Sequence, residues 1–470
     1  MTTTLATSLD TQRQNAHLTF KHNQHNGRHG WLRLTPAYSV QLVRGILDGH
    51  RYAATVLDPF SGTGTTALCA AYMGLRGTGL EINPFLVWFS SVKFRQFSPE
   101  VVERTRSLGA VIAVASSSTV GVPSVEPPPI HNVERWWNDS ELRFLCRLKK
   151  CILDISDAGT DERDLLLVAF CRVAIALSNA AFNHQSMSFK QTHAAPQLFA
   201  LERDHAEVFR KELSLVLDGA ADNPRIEPSV VAGDAREPSR FLHDRFDMLI
   251  TSPPYPNRIS YIRELRPYMY WLGFLTNGRD AGEYDWQAIG GTWGVATSRL
   301  AEWTPSGKAF TPPVLKKALQ GIADPKNKNG TLMANYVAKY FEDMWRHVSD
   351  IGKVLNDEAE VHYIVGNSTF YGILLPVEEI FKAMLQEVGF HDVEIVKIRK
   401  RSSKAELYEF DVTGKKNKPT MHPTVRESRR ASPLRFRAGE CQRWRCGTGP
   451  LDIPGAPADK RCIDRLETAP

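Results

Sequence analysis

The segment TVLDPFSGTGTTALCAAYMG at 55–74 constrains the fold more than any other part of the chain. Thr55 to Leu57 is a short apolar run that reads as a buried strand. Gly62 and Gly64 let the backbone turn tightly. Thr65 to Met73 is rich in helix formers, and Gly74 is placed to end that helix. RGTGLEINP at 76–84 then predicts a second strand ending at Glu81, with Pro84 opening another helix. Strand, loop, helix and strand in that order begin a parallel α/β sheet.

The rest of the chain can complete such a sheet. Strands are expected at 229–234 (SVVAGD), 246–251 (FDMLIT), 360–366 and 392–399, with helices over 36–49, 260–274, 331–354 and 376–388. The organisation predicted is a loose N-terminus at 1–18, a first part of an α/β domain at 19–96, a mostly helical insertion at 97–228, and a second part at 229–410. Within that second part, 276–330 is rich in Gly, Trp, Pro and Lys and is read as a long loop or small subdomain. From 411 to 470 the composition turns to Lys, Arg, Pro and Gly, which predicts a basic, disordered tail.

The loop Asp58-Pro59-Phe60-Ser61-Gly62-Thr63-Gly64-Thr65 is the first candidate site. Its Gly62-x-Gly64 spacing also fits a dinucleotide fingerprint, with Glu81 downstream for a ribose, so the loop alone leaves two cofactor classes open. The flanking acids tilt the balance. A carboxylate on a phosphate loop would repel a pyrophosphate, whereas Asp58 suits a ligand with a positive end, such as the α-ammonium of S-adenosylmethionine. Glu81 can accept hydrogen bonds from ribose hydroxyls, and Asp234 can accept from an adenine amino group. Any one of these could be an ordinary loop carboxylate; three at successive strand ends line the crevice where α/β folds bind ligands.

Thr251-Ser252-Pro253-Pro254-Tyr255 follows the apolar strand FDMLIT directly. Two prolines fix their φ angles and carry no N–H, so the turn is stiff and rich in acceptors. Ser252 adds an oxygen and Tyr255 a flat face. That set suits the activation of an exocyclic amino group, whose lone pair is delocalised into its ring. Accepting its two N–H bonds, at the Ser252 side chain and the Pro253 carbonyl, draws the nitrogen toward a tetrahedral, nucleophilic shape. Tyr255 can stack on a base turned out of a duplex.

With both motifs in place, the sequence resembles the amino-group DNA methyltransferases, the N4-cytosine and N6-adenine family. DPFSGTGTT resembles their cofactor motif and TSPPY their catalytic motif, and the resemblance covers about 20–96 and 229–400. It implies a class I S-adenosylmethionine-dependent methyltransferase fold: Rossmann-like, with a seven-stranded, mostly parallel sheet. It also implies S-adenosylmethionine as cofactor, double-stranded DNA as partner, and a cognate restriction endonuclease or defence-system protein as companion. Serine at the first catalytic position is more typical of the N4-cytosine members. The segment before the cofactor loop often touches the methionine end of the cofactor in this family, which makes Thr35 and Pro36 candidates. Many TSPPY enzymes place the catalytic motif first; here it comes second, which leaves the subgroup open. An N6-adenine enzyme, an RNA exocyclic-amine methyltransferase and a non-catalytic DNA-binding subunit are the competing readings.

Secondary features are less specific. The chain of 470 residues carries a net charge of +6, a mild basic excess that suits a polyanionic partner without requiring one. None of its seven cysteines follows a proline, which disfavours the C5-cytosine mechanism of that other family. Cys441, Cys446 and Cys462 are spaced too widely for a zinc site, so no metal is expected. Arg258, Arg263 and Arg266 follow the catalytic motif, and Lys397, Arg399, Lys400 and Arg401 follow the strand at 392–399; both groups could hold phosphates or be solvated. The N-terminus lacks an apolar signal core and no stretch is long enough to span a bilayer, which predicts a cytoplasmic protein without membrane association.

Overall fold

The computed structural model describes residues 20–24, 26–32, 38–50, 52–118, 123–181, 188–189, 204–257, 260–292, 295–401 and 406–417. Thr35, Pro36, Arg258, residues 1–18 and the cysteines of the tail lie outside the described residues.

Seven strands form the central sheet: β1 Thr55–Asp58, β2 Arg76–Glu81, β3 Ser229–Ala232, β4 Phe246–Thr251, β5 Leu355–Gly366, β6 Phe390–Lys400 and β7 Tyr408–Lys416. Their order across the sheet is β3-β2-β1-β4-β5-β7-β6. β3 to β5 run parallel through β2, β1 and β4. β7 is antiparallel to both of its neighbours. This is the class I methyltransferase fold. The strand order reverses between β1 and β4, so the loops after these two strands flank the switch-point crevice.

The helices used below are α1 Val40–Gly49, α2 Thr65–Tyr72, α3 Pro84–Phe94, α4 Pro99–Ser117, α5 Asp139–Ile155, α6 Asp161–Ala176, α7 His205–Ala221, α8 Tyr261–Trp271, α9 Gly278–Gln287, α10 Val295–Glu302, α11 Pro313–Ile322, α12 Gly330–Ile351 and α13 Val377–Glu387. Alternate strand residues feed opposite faces, as the period of two requires. Val56, Met248 and Ile250 pack with α1 and α2. Leu57, Leu249 and Val361 pack with α12 and α13. β2 comes so close to α2 that a Cβ at Gly77 would lie 2.3 Å from the Ala67 carbonyl oxygen.

The inserted helices α4–α7 share an apolar core, including Trp137, Phe144, Phe170 and Phe209, with Leu265, Met269 and Trp271 of α8. One buried side chain fastens that bundle to the sheet domain. The Arg28 guanidinium donates to the carbonyls of Gly219 (2.7 Å), Ala220 (2.9 Å) and Lys93 (3.0 Å), and to Asn223 Oδ1 (2.7 Å). These carbonyls belong to the last turns of α7 and α3, where helix carbonyls lack intrahelical partners.

Two expectations are corrected. Of the two readings of 276–330, a long loop or a small subdomain, the loop gives way, because the stretch carries α9, α10 and α11. Asn277 and Asp280 form a capping box at the start of α9, and Pro313 opens α11 at a position where no N–H is needed. The basic tail does not begin at 411, because β7 runs to Lys416 in the middle of the sheet's antiparallel end. Among the described residues no helix is long and apolar enough to cross a membrane.

Candidate active site

The loops after β1, β2, β3 and β4 converge on one cleft. It encloses about 1060 Å³ between protein atoms, its mouth included. Pro59, Phe60, Gly62, Thr65, Glu81, Asp234, Ser252 and Pro254 all line it. Tyr38, Asn83, Tyr261, Leu265, Tyr284, Gln287 and Ile289 complete the wall.

Glu81 stands at the end of the cleft formed by the loops after β1 and β2. Gly62 N donates to its Oε2 and Asn83 N to its Oε1, each at 2.8 Å. Burial outweighs these bonds and pushes its pKa up to about 7. The two glycines of the loop have different work. A Cβ on Gly62 would meet only the Phe60 carbonyl oxygen, at 3.9 Å, so this position faces open space. Gly64 has φ +75°, and a Cβ there would lie 2.5 Å from the Phe94 ring. Its smallness serves packing rather than ligand access.

Asp234 carries its own counter-ion. Arg236 Nε lies 3.0 and 2.9 Å from its two carboxylate oxygens, and Arg236 N donates to Oδ1 at 2.9 Å. The same guanidinium donates to the Gln287 carbonyl at 2.6 Å and so holds the end of α9 against the cleft. Beneath Phe60, the ring of His347 hydrogen-bonds Ala235 O at 2.6 Å and the Tyr363 hydroxyl at 2.8 Å. Burial pulls the His347 pKa down to about 4, so this ring is a neutral support.

Asp58 sits behind the cleft instead of lining it. Thr251 Oγ1 donates to its Oδ1 at 2.6 Å, Phe60 N to the same oxygen at 3.1 Å, and the Tyr38 hydroxyl to Oδ2 at 3.2 Å. Burial raises its pKa above the usual carboxylate range against these bonds. The threonine of TSPPY therefore holds the aspartate of DPF, which locks the tips of β1 and β4 together.

In the turn after β4, Ser252 opens into the cleft, Pro253 is buried, and Tyr340 donates to the Pro254 carbonyl at 2.7 Å. Gly290 lies beside Pro254: a Cβ there would meet the Pro254 side chain at 3.8 Å. Tyr255 lies outside the cleft lining, with a role that its sequence position hides. Its hydroxyl hydrogen-bonds the Ser252 side chain and donates to Glu409 Oε1 at 2.7 Å. Arg399 donates to both Glu409 oxygens, at 2.7 and 3.3 Å. Arg401 covers the Tyr255 ring at 4.9 Å. Burial first, and the Glu409 carboxylate second, push the Tyr255 pKa well above that of an ordinary phenol, so it remains a hydroxyl donor.

The residues missed by sequence reasoning are Tyr38, Tyr340, Arg236 and Glu409. None sits in a motif: Tyr38, Tyr340 and Glu409 reach the site from distant elements, and Arg236 lies two residues after Asp234 in the loop after β3.

A second cleft lies where the inserted helices meet α8 and α9. Arg135, Arg266, Arg279 and His131 line it together with Trp136, Phe189 and Tyr270, and no carboxylate is among its lining residues. Arg135 stacks over Phe189 at 4.7 Å and Arg266 over Trp136 at 5.0 Å.

The sequence relatives carry related names. The chain is 21% identical over 359 residues to the Type II methyltransferase M.MvaI of Kocuria varians, covering 71% of this chain and 74% of that one. It is 19% identical over 425 residues to M.BsoBI of Geobacillus stearothermophilus, with 82% of each chain covered. It is 20% identical over 417 residues to M.AvaI of Nostoc sp., covering 81% of this chain and 82% of that one. These relatives are Type II methyltransferases. No family model matches the chain. A solved rRNA methyltransferase, aviRa from Streptomyces viridochromogenes, superposes at a TM-score of only 0.25 with 10% identity, over 84% of this chain and 96% of that one.

Proposed function

We propose that this chain is an S-adenosylmethionine-dependent DNA methyltransferase acting on an exocyclic amino group, with cytosine N4 as its target, in a restriction-modification setting. The observation that carries the reading is that Ser252 opens into the same cleft as Glu81 and Gly62. The cofactor fits the donor set. Glu81 presents acceptors for a ribose diol, Asp234 keeps acceptor capacity beside Arg236, and the buried Ser61 Oγ in the cleft wall has no partner among the described residues. When bound, S-adenosylmethionine supplies an electrophilic methyl group on its sulfonium.

The residues of the chain do the rest by positioning. Tyr255 donates to Glu409, and Ser252 hydrogen-bonds Tyr255. With the tyrosine proton committed to Glu409, the serine proton points at Tyr255. The Ser252 lone pairs then face the cleft, where they accept an N–H of the base amine and localise the nitrogen lone pair for attack. Tyr340 holds the Pro254 carbonyl, which keeps the turn from collapsing. The placement of Ser252 does not distinguish cytosine from adenine; the serine itself favours cytosine through the family resemblance. The arginine-lined cleft beside α8 is suited to the DNA backbone, since guanidinium groups pair with phosphates in two-pronged geometry.

The reading is tested by offering labelled S-adenosylmethionine with duplex DNA, single-stranded DNA or RNA. Label in duplex DNA is expected. Label confined to RNA would replace the substrate class. Cofactor binding without any transfer would favour a non-catalytic subunit.

A further inference from the structure

On the α1 face of the sheet, away from the cofactor loops, His50, Glu360 and His362 bring one ligand atom each to a common point. Those atoms all lie within 4.8 Å of one another. Glu360 and His362 are two residues apart on β5 and so share a face. His50 follows the last turn of α1.

The outer partners of both rings fix which nitrogen faces inward. His50 Nδ1 lies 2.7 Å from the Ile46 carbonyl oxygen, which can only accept, so the proton is on Nδ1. His50 Nε2 is then the ring nitrogen that faces Glu360 Oε2, 2.7 Å away, an ion pair when the ring carries a second proton and an open ligand atom when it does not. His362 Nδ1 lies 2.8 Å from Asp411 Oδ2, and its Nε2 is buried with no hydrogen-bond partner among the described residues. His362 is only 6% exposed, so water does not satisfy that nitrogen cheaply. A carboxylate and two imidazole nitrogens gathered at one point, one of those nitrogens orphaned, form a set that a bound cation would satisfy together.

We propose that His50, Glu360 and His362 bind a divalent transition metal of the zinc class. Two imidazoles and a carboxylate are a borderline ligand set that suits Zn²⁺. Metal-binding histidines commonly donate their second N–H to a carbonyl or carboxylate, as Ile46 O and Asp411 do here. Ligand bonds of about 2.0 to 2.2 Å around a tetrahedral ion separate the ligand atoms by roughly 3.4 Å, so metal binding would open the 2.7 Å His50–Glu360 contact and draw the three atoms, which lie within 4.8 Å of one another, toward a common spacing. Lys415 Nζ lies 3.2 Å from Glu360 Oε1, leaving Oε2 as the ligand, and Tyr52 also hydrogen-bonds Glu360. Tyr52, which hydrogen-bonds Glu360, is 62% exposed, so solvent reaches the edge of the cluster.

The ion would brace rather than react. It joins the C-terminal end of α1 to β5 directly and to β7 through Asp411. Tyr38, just before the other end of α1, lines the cofactor cleft and donates to Asp58.

The test uses the full chain, stripped with a chelator and titrated calorimetrically with Zn²⁺. Wild-type protein is expected to bind one equivalent more than His362→Ala and than His50→Gln, and Zn²⁺ is expected to raise the melting temperature of wild-type alone. His50→Gln changes a partly exposed position at a helix end, so it guards against a folding defect in His362→Ala. A Co²⁺-loaded wild-type sample should show the visible absorption of a tetrahedral site, and both variants should lack it. Equal stoichiometry in wild-type and both variants would overturn the site, whatever the outcome for methyl transfer.

Discussion

The two ends of the central cleft are built in different ways. The end proposed to hold the cofactor is nearly local: Gly62 N bonds Glu81, nineteen positions on, and both belong to one β–α–β unit. The end proposed to activate the base is assembled over the whole domain. Ser252 and Tyr255 come from the loop after β4, Tyr340 from α12, and Arg399 and Glu409 from β6 and β7. Binding at the first end should therefore survive changes that abolish chemistry at the second.

Ser252→Ala gives the sharpest separation. It removes the acceptor aimed at the base amine and should lower kcat on the order of 100- to 1000-fold, the loss typical of one preorganised polar group. Cofactor affinity, measured by calorimetry, should stay within about twofold. An equal loss in both quantities would merge the two ends and break the comparison.

Glu409→Gln and Tyr255→Phe should each lower kcat by about tenfold, because both leave Ser252 free to turn its proton toward the base. Combined, they should cost little more than either alone, as members of one chain of hydrogen bonds do. Full additivity in a double-mutant cycle would separate Glu409 from the relay.

The cofactor end has its own signature in pH. Glu81 in the free site has a pKa raised to about 7, and ribose hydroxyls would donate to its ionised form. Affinity should rise as pH increases toward 7 and level off above it. Below that pH it should fall by about tenfold per unit. Glu81→Gln should bind more weakly and lose this dependence. A flat profile in wild-type protein would remove Glu81 from the ribose contact.

The smallest effect is expected at the arginine-lined cleft. Arg279→Ala should weaken DNA binding evenly across sequences and reduce the slope of log affinity against log salt by about one. Cofactor affinity should not change. An unchanged slope would move the DNA backbone elsewhere.

The same contrast explains what could be read from the sequence. β1 and β4 are short apolar runs that lead straight into loops rich in Gly and Pro, and β2 follows one helix later, so both motifs and the switch-point cleft are legible in the sequence. β7 was hidden because two of its inward positions are Glu409 and Asp411. These acids are buried only because Tyr255, Arg399 and His362 come to meet them, and no local pattern announces such partners. Asp58 shows the converse. Its place at a strand tip suggested a ligand contact, yet its oxygens take bonds from Tyr38, Phe60 and Thr251. The helices of 276–330 were obscured by their Gly, Trp and Pro content, although the Asn277–Asp280 capping box was present in the sequence. Their position matters more than their periodicity: Tyr284, Gln287 and Ile289 line the cleft beside the catalytic turn.

The most direct measurement is the identity of the product. Duplex DNA of mixed sequence would be methylated by wild-type protein and by Ser252→Ala, digested to nucleosides and analysed by mass spectrometry. The account predicts N4-methylcytosine with wild-type protein and almost none with the variant. N6-methyladenine in its place would contradict the base assignment, and equal product from both proteins would contradict the role of Ser252 at the centre of the site.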